Sequence, residues 1–86
     1  MASAAQCEKL VQRYVDLELS EDPSAPAMST EQRARLRAVL AVDVSRRPDL
    51  SLVNTRCTLD VTDAAYRCAI SAHTTSAWRA CIAPVE

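Results

Sequence analysis

The 86-residue chain contains no glycine and no phenylalanine, and its only aromatic residues are one tryptophan and two tyrosines. Without glycine, the usual left-handed helix stop and the tightest hairpin turns are missing. The chain must instead turn at Pro23, Pro26, Pro48, Asn54 and polar residues. With so few aromatics, the interior falls to Ala, Val and Leu. Such small side chains make thin contacts, at about 25 cal/mol per Å² of apolar surface buried. No stretch reaches the ~18 continuous apolar residues of a membrane span. There is no basic excess either: ten basic residues face eleven acidic ones, for a net charge of -1. A nucleic-acid binder carries a clear positive surplus, so no nucleic-acid partner is expected. The chain also lacks a glycine-rich phosphate loop, a serine nucleophile motif and a Cys-x-x-Cys pair. No catalytic residue and no cofactor are expected.

What the chain does have is cysteine. Cys7, Cys57, Cys68 and Cys81 occur in a length that supports one domain with a modest core. Cross-links offset such a shortage of buried area.

Apolar periodicity predicts four or five short helices. Cys7, Leu10, Val11, Tyr14 and Val15 recur at helix-face spacing over about Ala5 to Leu19. Residues 20–28, with two prolines, read as a loop. Ser29-Thr30-Glu31-Gln32 fits a capping box that opens a second helix, with Leu36, Val39, Leu40 and Val44 as its core face. Arg46-Arg47-Pro48 ends it. Between residues 50 and 62 two readings compete. Leu50, Val53 and Cys57 suit a helix, whereas Cys57, Leu59 and Val61 alternate as a strand does. The helix is preferred because Asn54-Thr55 is a poor tight turn. A fourth helix is expected from Asp63 to Ala72 on the small face Ala65, Cys68, Ala69 and Ala72. A fifth runs from about Ser76 to Ile82, with Trp78 and Cys81 together and Pro84 as its stop. The expected fold is one all-α domain over residues 1–86, stapled by disulfides, with residues 1–5 as a disordered terminus or linker.

The four cysteines allow three pairings. Cys68 and Cys81 are equidistant from the Thr74-Thr75 turn, which favours Cys68–Cys81 with Cys7–Cys57. Cys57 and Cys68 are equidistant from Thr62-Asp63, which favours Cys57–Cys68 with Cys7–Cys81. The better marked turn at residues 73–75 tilts the choice to the first, and both remain open. A zinc site of four cysteines, or of three with His73, is the rival reading, but the paired knuckles of such sites are missing. Four reduced, buried thiols in a cytosolic protein is the plainer one. His73 sits in a turn and reads as a solvated residue. Met1–Gln6 is too short for a signal peptide, which leaves a mature or excised domain, the favoured reading, or a full cytosolic protein with reduced thiols.

The segment Asp60-Val61-Thr62-Asp63-Ala64-Ala65-Tyr66-Arg67-Cys68-Ala69-Ile70-Ser71-Ala72, with Cys57 before it and Trp78-Arg79-Ala80-Cys81 after it, resembles small four-cysteine helical domains of bacterial envelope and secreted proteins. The resemblance implies an extracytoplasmic address, periplasmic, cell-surface or secreted, and disulfide bonding. It carries no activity. The functional expectation is a non-catalytic structural or protein-interaction module, open to self-association. Tyr14, Tyr66 and Trp78 are its candidate partner-binding residues, because Trp and Tyr are enriched at interface hot spots. A carrier of lipid or another apolar ligand, and a thiol-based metal-binding or redox regulator, are the alternatives.

Overall fold

The computed structural model describes residues 2–82, which form five α-helices and two short 3-10 turns, with no strand among the described residues. The helices are α1 (Ala4–Glu21), α2 (Thr30–Arg46), α3 (Ser51–Asp60), α4 (Asp63–Ile70) and α5 (Thr75–Ile82). The 3-10 turns cover Ala25–Ala27 and Pro48–Leu50. The all-α, disulfide-stapled fold expected from sequence is therefore the one adopted.

Helix starts follow local chemistry. Ser29 Oγ accepts from the Gln32 N–H at 3.2 Å, and Gln32 Oε1 accepts from the Ser29 N–H at 2.9 Å. Ser3 and Gln6 build the same reciprocal cap on α1, and Thr62 Oγ1 caps α4 through the Ala65 N–H. Each such cap satisfies amide groups that the first helical turn leaves unpaired. Helix ends manage without glycine. No described residue has a positive φ. Asp22, Arg47 and Val61 instead leave α1, α2 and α3 in extended conformation, each N–H still bonding back into the last turn.

Helix α1 is the hub and touches all four other helices. Its buried residues Leu10, Tyr14, Val15 and Leu17 meet Val44 of α2, Val53 and Cys57 of α3, Ala69 of α4, and Trp78 and Ile82 of α5. Residues 50–60 are helical: Leu50, Val53 and Cys57 are buried together at helical spacing. Asn54 Nδ2 also donates to the Val44 carbonyl, satisfying an acceptor in the last turn of α2 at 2.8 Å.

Three expectations need correction. The amino terminus is not a linker over residues 2–5. Ala2 is buried, its N–H donates to the Val61 carbonyl at 3.0 Å, and α1 begins at Ala4. The expected loop at 20–28 is shorter, because α1 continues to Glu21 and Ala25–Ala27 coil into a 3-10 turn. Val39 is no core residue: it is 65% exposed. Val44 and, four residues before it, Leu40 pack into the core, Leu36 is half-buried four residues earlier, and Val39 lies off that ridge. The expected stop at Pro84 lies outside the described residues.

Candidate interaction surface

The cysteines set the frame. Cys7 of α1 is bonded to Cys57 of α3, with Cα atoms 6.0 Å apart, and Cys68 of α4 to Cys81 of α5, with Cα atoms 5.6 Å apart. Both separations lie within the range that a disulfide spans. This is one of the two pairings that the spacing left open. It ties the hub helix to α3 and closes the α4–α5 hairpin. Bridged cysteines suggest an oxidising environment, and in that state they offer no thiolate to a metal. His73 is exposed beside the α4–α5 turn. No described group of three or more His, Cys, Asp or Glu side chains converges on a point.

Of the three aromatic candidates for partner contact, two are structural. Trp78 is 1% exposed and Tyr14 2% exposed, and their ring centroids lie 4.7 Å apart. As the largest side chains available to an interior of small residues, they fill it. Arginines and carboxylates close the edge of this pair. Arg79 donates to Tyr14 Oη at 2.6 Å and to Asp49 at 2.7 Å. Arg47 bonds Asp49 at 3.2 Å and Glu18 at 3.0 Å. Both guanidinium groups lie over the Tyr14 ring, at 5.4 Å for Arg79 and 5.8 Å for Arg47, within cation–π range. The hydrogen bonds from Arg79 and then Arg47 hold the Asp49 carboxyl below the usual range. The same Asp49 bond raises both arginines. Tyr66 is partly buried against the core. Only it, among the three, retains accessible surface.

The α4–α5 hairpin docks on α1 through two more polar contacts. Arg13 donates twice to the Ala72 carbonyl, at 2.6 and 3.2 Å. Glu21 accepts from the Thr75 N–H and hydroxyl, each at 2.7 Å, so it covers the start of α5 and its own pKa is lowered by those bonds.

Among the described residues, an apolar surface without a partner lies on the outer side of α2. Val39 is 65% exposed and Val42 52% exposed, one helical turn apart, with exposed Ala38 beside them. Together with Asp43 and Arg46 they line a shallow groove of about 530 Å³. Valine on a solvated helix face has no local justification, since its helix propensity is below that of alanine. Isolated exposed apolar residues are ordinary, whereas contiguous ones are candidates for contact. The arginines of α2 form no free anion patch. Arg33 donates to the Ala25 carbonyl, Arg35 pairs with Glu31, and Arg37 pairs with Asp16. Arg46 and Asp43 have no ion-pair partner among the described residues.

No protein family, curated protein or solved structure matches this chain.

The outer face of α2 did carry a sequence signal. Ala38-Val39-Leu40-Ala41-Val42 is five apolar residues in a row. On a helix such a run covers every side, so a single core cannot absorb all of it.

Proposed function

We propose that this chain is a non-catalytic, extracytoplasmic protein-interaction module whose contact surface is the outer face of α2. The observation that carries the reading is the solvent-exposed pair Val39 and Val42 on a helix whose opposite side already packs on the hub. The two disulfides support the extracytoplasmic address, because glutathione and thioredoxin keep cytosolic thiols reduced. The bridges also make the module rigid, which lowers the conformational cost of presenting a surface. The alternatives have less support. A carrier needs interior space, and Leu10, Tyr14, Val15 and Trp78 pack the interior at 0–2% exposure. A metal-binding regulator needs thiolate ligands, and all four sulfurs are bridged.

A benzophenone side chain placed at position 39 or 42 tests the reading in the cells that make the protein. Illumination is expected to give covalent protein adducts from both positions and none from exposed Ala64 on α4. Equal yields from all three positions, or none from 39 and 42, would overturn it.

A further inference from the structure

We propose that two copies of this chain pair through α2, antiparallel about a two-fold axis near Val39, forming a weak and salt-sensitive dimer. The inference rests on the reading of α2 as the contact surface, and the order of charges along that surface carries it.

The exposed seam of α2 runs Arg35, Val39, Val42 and Arg46, at steps of four, three and four. That is the spacing at which one helix presents a continuous line to another. Ala38 beside Val39 is small and exposed, so a second helix can approach closely at the centre. The charges flanking this centre alternate in sign: Glu31, Arg35, Asp43, Arg46. Arg35 and Asp43 lie four positions either side of Val39. Glu31 lies seven before Ala38, and Arg46 seven after Val39.

Reversing a helix of this pattern and laying it on itself brings opposite charges together in two pairs, one centred on Val39 and the other between Ala38 and Val39. Arg35 meets Asp43 of the partner subunit, and Glu31 meets Arg46 of the partner subunit. Two-fold symmetry repeats both pairs at the other end, as an isologous contact requires. Competing arrangements fail on the same residues. A parallel, in-register pair sets each charge against its own copy. Sliding the antiparallel register to face Val39 with Val42 of the partner subunit puts Arg35 against Arg46 of the partner subunit. In the monomer Glu31 and Arg35 neutralise one another at 3.0 Å, whereas Asp43 and Arg46 have no ion-pair partner among the described residues. The dimer supplies partners for both.

The contact is small. The 17 residues of α2 make a helix only about 25 Å long, and one such face falls short of the ~800 Å² per partner of a standard interface. Affinity is therefore expected in the range from micromolar to millimolar. Exposed ion pairs are screened by salt, so affinity falls as salt is raised.

Sedimentation equilibrium of the oxidised chain, up to millimolar concentration at low and high salt, tests the proposal. A concentration-dependent dimer is expected, weakened by salt and lost in Val39→Lys. Arg35→Glu and Asp43→Arg, each alone, are expected to raise the dissociation constant about tenfold, by losing two symmetric pairs and adding repulsions. The double variant carries the same pairs with signs exchanged and is expected to recover to within about threefold of the parent. Leu59→Lys, at an exposed site on α3, is expected to change nothing. Far-UV circular dichroism and non-reducing mass identify any variant that misfolds. A chain that stays monomeric at millimolar concentration and low salt ends the proposal. So does a dimer broken by Leu59→Lys and not by Val39→Lys, or a double variant that fails to recover. A monomer that still yields face-specific photo-adducts to another protein would end self-pairing while leaving the interaction module standing.

Discussion

The two disulfides should be unequal in what they contribute, and the inequality can be worked from the fold. Cys7–Cys57 spans a sequence separation of 50, and Cys68–Cys81 one of 13. Cross-linking removes loop-closure entropy from the unfolded chain, and the chain-entropy relation gives about 4.1 kcal/mol for the longer loop and about 2.9 kcal/mol for the shorter. The native environments push the same way. Cys57 is 4% exposed and packs in the core, whereas Cys68 is exposed. Replacing each pair by alanines therefore removes a fully buried side chain only on the Cys7–Cys57 side, since Cys81 is half-buried at the edge of the core. C7A/C57A is expected to be at least about 1 kcal/mol less stable than C68A/C81A, which corresponds to a thermal midpoint lower by about 4–8 °C for a domain of this size. Urea unfolding of both double variants and the parent, without reductant, gives the comparison directly. Trp78 reports the core by fluorescence, and far-UV circular dichroism reports the helices. The denaturant slope should also rise more for C7A/C57A, because its unfolded state opens further. If the hairpin variant proves the less stable, or if the two fall together, stabilisation by unfolded-state entropy is refuted for this chain. Local packing of the α4–α5 hairpin would then be the dominant effect.

Two further perturbations address the cluster around Tyr14. Trp78→Ala should destabilise by about 3–5 kcal/mol through the cavity it leaves, towards the low end of that range because the buried Nε1 has no hydrogen-bond partner to lose. Urea unfolding followed by circular dichroism checks this, and a loss below about 1 kcal/mol would mean that the Tyr14–Trp78 contact is not the centre of the core. Acid should loosen the docking of α5. The pKa of the Asp49 carboxyl is lowered by its bonds to Arg79 and Arg47 in the folded state, while in the unfolded chain it keeps its ordinary value of about 4. Its contribution is thus fully present above about pH 4 and is lost as pH falls through the lower folded value. Thermal midpoints measured from neutral pH down to about pH 2 should drop less steeply in Asp49→Asn than in the parent. Identical acid limbs would show that the Arg47–Asp49–Arg79 bridge is not linked to folding.

Much of the helical order was legible because its causes are local. Ser29 and Gln32 cap α2 with atoms three residues apart, and Thr62 caps α4 in the same way. Leu10, Tyr14 and Val15 repeat at the helical period whatever they face. The absence of glycine likewise implied helix ends without left-handed residues, as found. Ser3 and Gln6 form an equally local cap, masked in the sequence by small neighbours that resemble a linker.

Tertiary structure alone decided the rest, because the deciding partners are distant in sequence. Nothing near Ala2 indicates that its N–H is held by Val61. The cysteine spacing admitted two pairings, and the packing of α3 against α1 is what brings Cys57 to Cys7. Tyr14 and Trp78 are the sort of residue that marks a binding surface, yet they are buried against each other, 64 positions apart in sequence, because the interior has nothing else large enough to fill it. The valines of α2 show the converse. Periodicity placed Val39 inside, but the core takes up Leu40 and Val44, and the opposite side of the same helix is left in solvent. Periodicity specifies that a helix has an apolar side. Which apolar residues are covered depends on how many neighbours the fold brings to that helix.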